Sequence, residues 1–333
     1  MFGLEGIGAL TLRKMWKYRA GLLGLLIVLG MSGIAMCAGL VSPHDPYEQD
    51  VTARLKPPVW MNGGSRQNIL GTDPVGRDIL TRIIYGSRIS LATGVASVFI
   101  AVIIGVALGL VGGYYGGKTD SAITNLVNVM MAFPFMLLAL TAVAVMGPNF
   151  KNMVIVLGVT GWPIYTRVVR AETAQLKSLE FITAARAIGL SSLRIITRHI
   201  LRNLFNTIVV TSSLEVARMI LMESILSFLG LGVQPPTPSW GGMLGEGRTY
   251  MLTHWWLATF PGIAIFVTTL GINSWATACG MSSIRTSTNR LLKKAHLRRW
   301  NTQALVAAYL EYASLGPGYP SGGWVRRLAS GPF

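Results

Sequence analysis

With 333 residues, 51% of them hydrophobic and only 13% charged, the chain carries too little charge to cover a water-soluble surface and reads as a helical membrane protein. A net charge of +16 would suit nucleic acid, but the basic residues flank long apolar runs and have no aromatic residues interleaved for stacking on bases, so no nucleic-acid partner is expected. Two cysteines and four scattered histidines build neither a disulfide framework nor a metal-ligand spacing.

In chain order, residues 1–20 form a tail carrying Arg13, Lys14, Lys17 and Arg19, and an apolar run over 21–41 follows. At ~1.5 Å per residue that run spans a ~30 Å hydrocarbon core, and the basic residues ahead of it place the amino terminus in the cytoplasm. It is too long for a cleavable leader and lacks a clear cleavage site, so none is expected. Residues 42–89 then read as an external loop rich in proline and glycine. Within it Thr72, Asp73 and Pro74 suggest a turn, and 79–85 a short amphipathic helix lying on the membrane. Asp78 and Arg82, four apart, are expected to pair on the exposed face of that helix.

A second span is predicted over 90–110, where Ala101, Gly105, Gly109 and Gly113 recur every four residues as a thin packing face. Gly112 to Thr119 satisfies the phosphate-loop pattern G-x-x-x-x-G-K-[ST] literally. A membrane span rather than a buried strand precedes it and another span follows, so nucleotide binding at Lys118 is not expected. The third span, 123–146, contains Pro134 and a methionine group, Met130, Met131 and Met136, read as core packing with an adaptable pore lining as the alternative. A fourth span over 153–168 is expected to be interrupted at Gly161 and Pro163. The fifth, 204–231, holds Glu215, Arg218 and Glu223, with Glu223 placed on roughly the face of Glu215. Ionisable groups at this depth are costly unless paired or facing water, so a structural ion pair and a translocation-path lining both stand open. Trp255 and Trp256 open a sixth span over 255–272.

Between the fourth and fifth spans, residues 166–203 hold seven Lys and Arg. A short helix over 181–188 shows a small face at Ala184, Ala185 and Ala187. Gly189 stops it, and Ser191 or Ser192 can cap a second helix over 193–201. Charge alone makes this a basic cytoplasmic loop that sets topology, while the small face would let another protein approach the backbone.

Three strings in order carry a resemblance. They are G-T-D-x-x-G-R-D (Gly71, Thr72, Asp73, Gly76, Arg77, Asp78), A-A-x-x-x-G (Ala184, Ala185, Gly189) and L-S-F-L-G-L-G (Ser227, Gly230, Gly232). Together they resemble the permeases of ABC transporters in the peptide/nickel branch, over roughly residues 10–273. Thr183 stands where that family often has an acidic residue, and Arg202 where this branch usually has proline. The resemblance implies an all-α fold of six transmembrane helices, the type I ABC-importer permease fold, with a cytoplasmic coupling helix. Residues Ala184, Ala185, Arg186, Gly189 and Arg198 would then couple to the ATPase. The Gly71–Asp78 string would serve as scaffold or docking ground near the binding protein, and Glu215, Arg218 and Glu223 would be translocation-path candidates.

The same resemblance implies a transport subunit with no catalytic site, no metal and no cofactor of its own, ATP being used by partner subunits. Those partners would be a second homologous permease, two ABC ATPase subunits, an external (periplasmic) solute-binding protein and membrane lipid. The expected place is the bacterial cytoplasmic (inner) membrane with both termini cytoplasmic, and the cargo a di- or oligopeptide or a related solute such as nickel. An ion-coupled secondary transporter working without an ATPase is the alternative, with Glu215 and Glu223 as its only candidate groups.

Residues 90–273 thus form the core permease domain, and 274–333 a tail of different character that lacks sustained helical periodicity and bears little resemblance to the family. The family's usual closing string, G-D-x-L-R-D-x-L-D-P, is absent, yet codons for Trp275 to Ser287 can be chosen so that a one-base shift reads it. The tail is therefore expected to be an out-of-frame extension, a functional basic tail being the rival. The gene's nucleotides around codons 273–276 decide between them.

Overall fold

A chain in hydrocarbon must satisfy its backbone polar groups internally, so the long apolar runs fold as helices. The computed structural model describes residues 19–295. Helix α1 covers Arg19–Met36 and ends in a further turn, Ala38–Val41. After a loop come α2 (Ile79–Tyr115), α3 (Gly117–Ala132), α4 (Phe135–Met146) and α5 (Phe150–Lys177). The short α6 (Glu180–Ala187) precedes α7 (Ser192–Phe228), and α8 (Trp240–Gly247) precedes α9 (Trp256–Ala295). Among the described residues the only β pairing is one isolated bridge between Thr72 and Asp78. Helices α1, α2, α5, α7 and α9 are long and apolar enough to cross a membrane, and α3 with α4 makes a sixth element bent by 82°.

Several boundaries differ from the sequence expectation. The helix expected to lie on the membrane over 79–85 is instead the first two turns of α2, which runs 37 residues without a break. Its polar residues Thr81, Arg82, Ser87 and Ser90 are buried and bonded inside the protein rather than turned to lipid or water, so they do not end the span. The third span is not straight, because Phe133 is extended before Pro134, as a residue preceding proline prefers, and the helix restarts at an angle. The fourth span, by contrast, runs through Gly161 and Pro163 as one 28-residue helix. The second helix of the basic loop and the fifth span are likewise one element, α7, entered through a π-turn at Ile195–Ile200. Helix α9 continues past 272 to Ala295, through the point where the sequence changes character. Residues 1–18, and 296–333 with most of the expected out-of-frame tail, lie outside the described residues.

The core is the packing of α2 on α5. Along the small-residue face of α2, a Cβ on Gly105 would sit 2.5 Å from that of Tyr165, one on Gly109 2.8 Å from that of Val169, and one on Gly113 2.6 Å from the Arg170 carbonyl. Ala101 faces Gly161 in the same seam, and Thr166 Oγ1 donates to the Gly105 carbonyl at 3.1 Å. Buried Trp162 and Tyr165 lock the turns on either side of Pro163, and this seam keeps α5 continuous despite the missing backbone donor. Helix α1 lies against α9, where a Cβ on Gly24 would meet the Gly271 carbonyl at 2.6 Å. Arg88 of α2 closes the last turn of α1, donating to the Ala35 carbonyl at 2.6 Å and that of Met36 at 3.1 Å.

Candidate functional site

Helix α2 starts at one end of the bundle, beside the 42–78 and 229–255 loops, and finishes at the other, beside α6. At the α6 end, the helix runs eight residues and stops at Gly189, whose φ of +81° is one that side-chain-bearing residues seldom adopt. Gly189 N–H donates to the Arg186 carbonyl at 3.0 Å and Leu190 N–H to that of Ala185 at 3.2 Å, which satisfies the last carbonyls of the helix. Leu190 packs back against the same apolar cluster as Ala185, completing the stop. Ser191 stands before the next helix, but its side chain makes no capping bond.

The small face foreseen over Ala184, Ala185 and Ala187 divides in two. Ala185 and Ile182, three apart, turn inward and join Leu110 and Tyr114 of α2, Val169 of α5, and Ile195, Ile196, Ile200 and Leu204 of α7. Ala185 is therefore a seat residue rather than part of the free surface. Thr183, Ala184 and Ala187 face outward with Phe181 and Ile188, the last 78% exposed. Arg186 and Lys177 lie at 5.8 Å over the buried ring of Tyr114, tying α6 and the end of α5 to the end of α2. Arg198 is exposed on the π-turn, and Asp120 pairs with Arg170 at 2.8 Å between α3 and α5.

At the opposite end, the 71–78 string is an interior scaffold. Gly76, at φ +85°, lies so close to the 50–58 segment that a Cβ would come within 1.9 Å of the Asp50 carbonyl, and Gly71 lies similarly against Lys56. The Thr72 hydroxyl donates to the Ala53 carbonyl and accepts from Lys56 N–H at 2.9 Å. Asp78 does not pair with Arg82. Its side chain instead accepts from Thr81 N–H at 2.8 Å as the N-cap of α2, and from Asn68 at 3.2 Å. Arg82 contacts Asp73 and Glu246, both at 2.6 Å, with a second bond to Glu246 at 3.1 Å, while Arg77 holds Asp73 at 2.6 Å and Glu246 at 3.0 Å. This two-arginine, two-carboxylate clamp joins the loop, α2 and α8. Sequence reasoning missed Glu246, whose only signal was a lone acidic residue in a glycine-rich apolar stretch.

The three ionisable groups of α7 do not form one set. Glu215 and Arg218 approach to 3.0 Å. Glu223 is fully enclosed, a correction to the expectation that it shares the face of Glu215. Eight residues at about 100° each leave it some 80° away, against α2 and α8. There it accepts from Ser227 at 2.7 Å, Ser90 at 3.1 Å and Ser224 at 3.4 Å. Gly232 lies against Ser227 where the chain turns at Gly230, so the L-S-F-L-G-L-G string builds this enclosure.

Arg218 opens instead on a cavity of about 270 Å³ at the elbow between α3 and α4. Met130 and Met131 line it and are not buried, against the core-packing reading of these two; Met136 does not line it, and Met153 and Met219 fill the core.

A family model described as "Binding-protein-dependent transport system inner membrane component" matches residues 101–280, and one for the N-terminal TM domain of oligopeptide transport permease C matches 8–58. The dipeptide transport system permease protein DppC of Haemophilus influenzae is 38% identical over 266 residues, which cover 79% of this chain and 90% of that one. DppC of Escherichia coli is 40% identical, with 79% and 89% covered. The glutathione transport system permease protein GsiD of Pectobacterium atrosepticum is 41% identical over 262 residues, with 79% and 84% covered. Among solved structures, the inward-facing MetNI methionine ABC transporter matches at 18% identity and a TM-score of 0.46, covering 60% of this chain and 96% of its own.

Proposed function

We propose a peptide-import function, and its premise is plain: the chain belongs to the family of binding-protein-dependent transport system inner membrane components. It is a permease subunit of an ABC importer, a multi-pass helical membrane protein, and the cargo we assign is a di- or tripeptide, as the names of its relatives suggest. In this reading it works beside a second, homologous permease, with two ATPase subunits on the cytoplasmic side and a solute-binding protein outside. ATP is hydrolysed by the partners. Both termini and α6 face the cytoplasm, in keeping with the basic residues gathered there. The ion-coupled alternative is not favoured, since Glu223, one of its two candidate groups, is enclosed by serines.

The observation that carries the reading is the division of α6. A short helix presents Thr183, Ala184, Ala187 and Ile188 outward, and its inner residues Ile182 and Ala185 sit in a cluster built from α2, α5 and α7. A partner that grips the outer face moves this cluster, and with it three of the long helices, as one packed unit. Residues 71–78 support the reading differently, as a braced end against which a binding protein can press.

Co-purification of the chain with its ATPases, followed by uptake of labelled dipeptide and of nickel, tests the proposal. The expected result is ATP-dependent uptake of dipeptide that competes with tripeptide and not with nickel. Uptake driven by an ion gradient with no ATPase present would overturn it.

A further inference from the structure

We infer that the cavity at the elbow of α3 and α4 receives the carboxylate end of the peptide in transit, with Arg218 as the group that holds it. This rests on the peptide-import reading above and names the feature of the cargo that the chain itself recognises.

Arg218 lies ten residues before the end of α7, about 15 Å at 1.5 Å per residue, so it stands near the middle of a ~30 Å hydrocarbon core. A cation at that depth is retained for a partner or a passing ligand. Its existing partner engages one side of it. Glu215 pairs with Nε at 3.0 Å, and no acceptor among the described residues meets the two terminal nitrogens. One face of the guanidinium lies 4.5 Å over the ring of Phe135, which fixes its plane. A guanidinium offers five N–H donors in a rigid fork matched to a carboxylate, and the four on the terminal nitrogens of Arg218 meet no acceptor among the described residues.

The surroundings fit the end of a peptide. Of the side chains lining the cavity, Arg218 alone is charged; Phe133, Phe135, Leu138 and Ile164 are apolar, and Met130 and Met131 are flexible. A volume of about 270 Å³ falls just below the ~300–1,000 Å³ of sites that swallow a whole drug-sized ligand, so it suits one residue and its carboxylate. Flexible methionines accommodate whatever side chain that residue carries, as a transporter of varied sequences requires. The charge fixes which end of the cargo enters, and the lining leaves its identity free.

The test uses the full transporter with its second permease, ATPases and binding protein. Arg218→Gln is expected to lower dipeptide uptake at least about tenfold, the low end for losing a charged hydrogen bond. Arg218→Lys should fall between, keeping charge without the fork. The decisive variant is the pair Glu215→Gln with Arg218→Gln, which removes the ion pair without stranding either charge. If Arg218 binds cargo, uptake stays low; recovered uptake would make Arg218 a counter-ion only and overturn the site. A second measurement needs no binding protein. A photoreactive amino acid in place of Met131 should label with radioactive dipeptide in the purified complex, and about tenfold less with the C-terminally amidated form. Equal labelling by both forms would also overturn the site. Failure of the unaltered complex to import any dipeptide would remove the import reading itself, a result distinct from either.

Discussion

At one end of the bundle Asp73, Arg77, Arg82 and Glu246 are joined by bonds of 2.6–3.1 Å, three of the four nearly shut off from solvent. At the other, α6 rests on Ile182 and Ala185 in a largely apolar seat, with Arg186 and Lys177 over the Tyr114 ring adding charge. The two chemistries differ in what they permit. Charged hydrogen bonds are directional and fix the angle between loop, α2 and α8. Apolar contact is non-directional, so α6 and its seat can tilt together without an angle fixed by a charged bond. The molecule is braced at the end where a binding protein is proposed to sit and compliant where a motor is proposed to pull.

Four substitutions probe that contrast. Arg82→Ala should do the most damage, because it leaves buried Asp73 and half-buried Glu246 with Arg77 as their one remaining cation. A loss of about 3–5 kcal/mol is expected in thermal unfolding of the detergent-purified protein, and a loss near zero would show that the clamp is not a brace. Gly189→Leu comes next, forcing a side chain into left-handed backbone at about 1–2 kcal/mol. The protein should still insert, but ATP hydrolysis should run on without matching uptake, and normal uptake would dissociate α6 from coupling. Ile182→Val removes one methylene from the seat, costing about 0.5–1.5 kcal/mol, and should raise the ATP consumed per peptide delivered. Ile188→Ser, on the outer face, should shift stability by less than about 0.5 kcal/mol yet weaken ATPase attachment in a pull-down. If it leaves attachment intact, the outward face is not the docking surface.

The apolar runs made the helices legible, and the three strings led to both ends of the bundle. Helix limits were harder, for physical reasons. The second span reads from residue 90 and not from 79 because the partner that lets Arg82 sit inside the protein lies far along the chain; Glu246 is 164 residues from Arg82. Pro134 and Pro163 carry the same signal with opposite results. Only the second stands on a helix clamped on both sides by buried aromatics, and no local pattern announces such a clamp. The alanine face of α6 was visible as small, but which alanines point inward depends on how α2, α5 and α7 surround it. Arg218 and Glu215 were found by spacing, whereas the cavity beside them arises from the 82° elbow, which a proline alone does not specify.

The crossing of α1 with α9 carries a consequence of its own. Around Gly24 and Gly271 the two backbones come close, with Ser274 and Ile27 packed against the glycines, and a methyl on Gly24 would lie 2.7 Å from the Trp275 amide nitrogen. The first helix is thus not a detachable anchor threaded through the bilayer but a strut pinned to the last one at this crossing. A shortened chain beginning after Val41 would bare the Gly271 face of α9, and lipid would take the place of protein there.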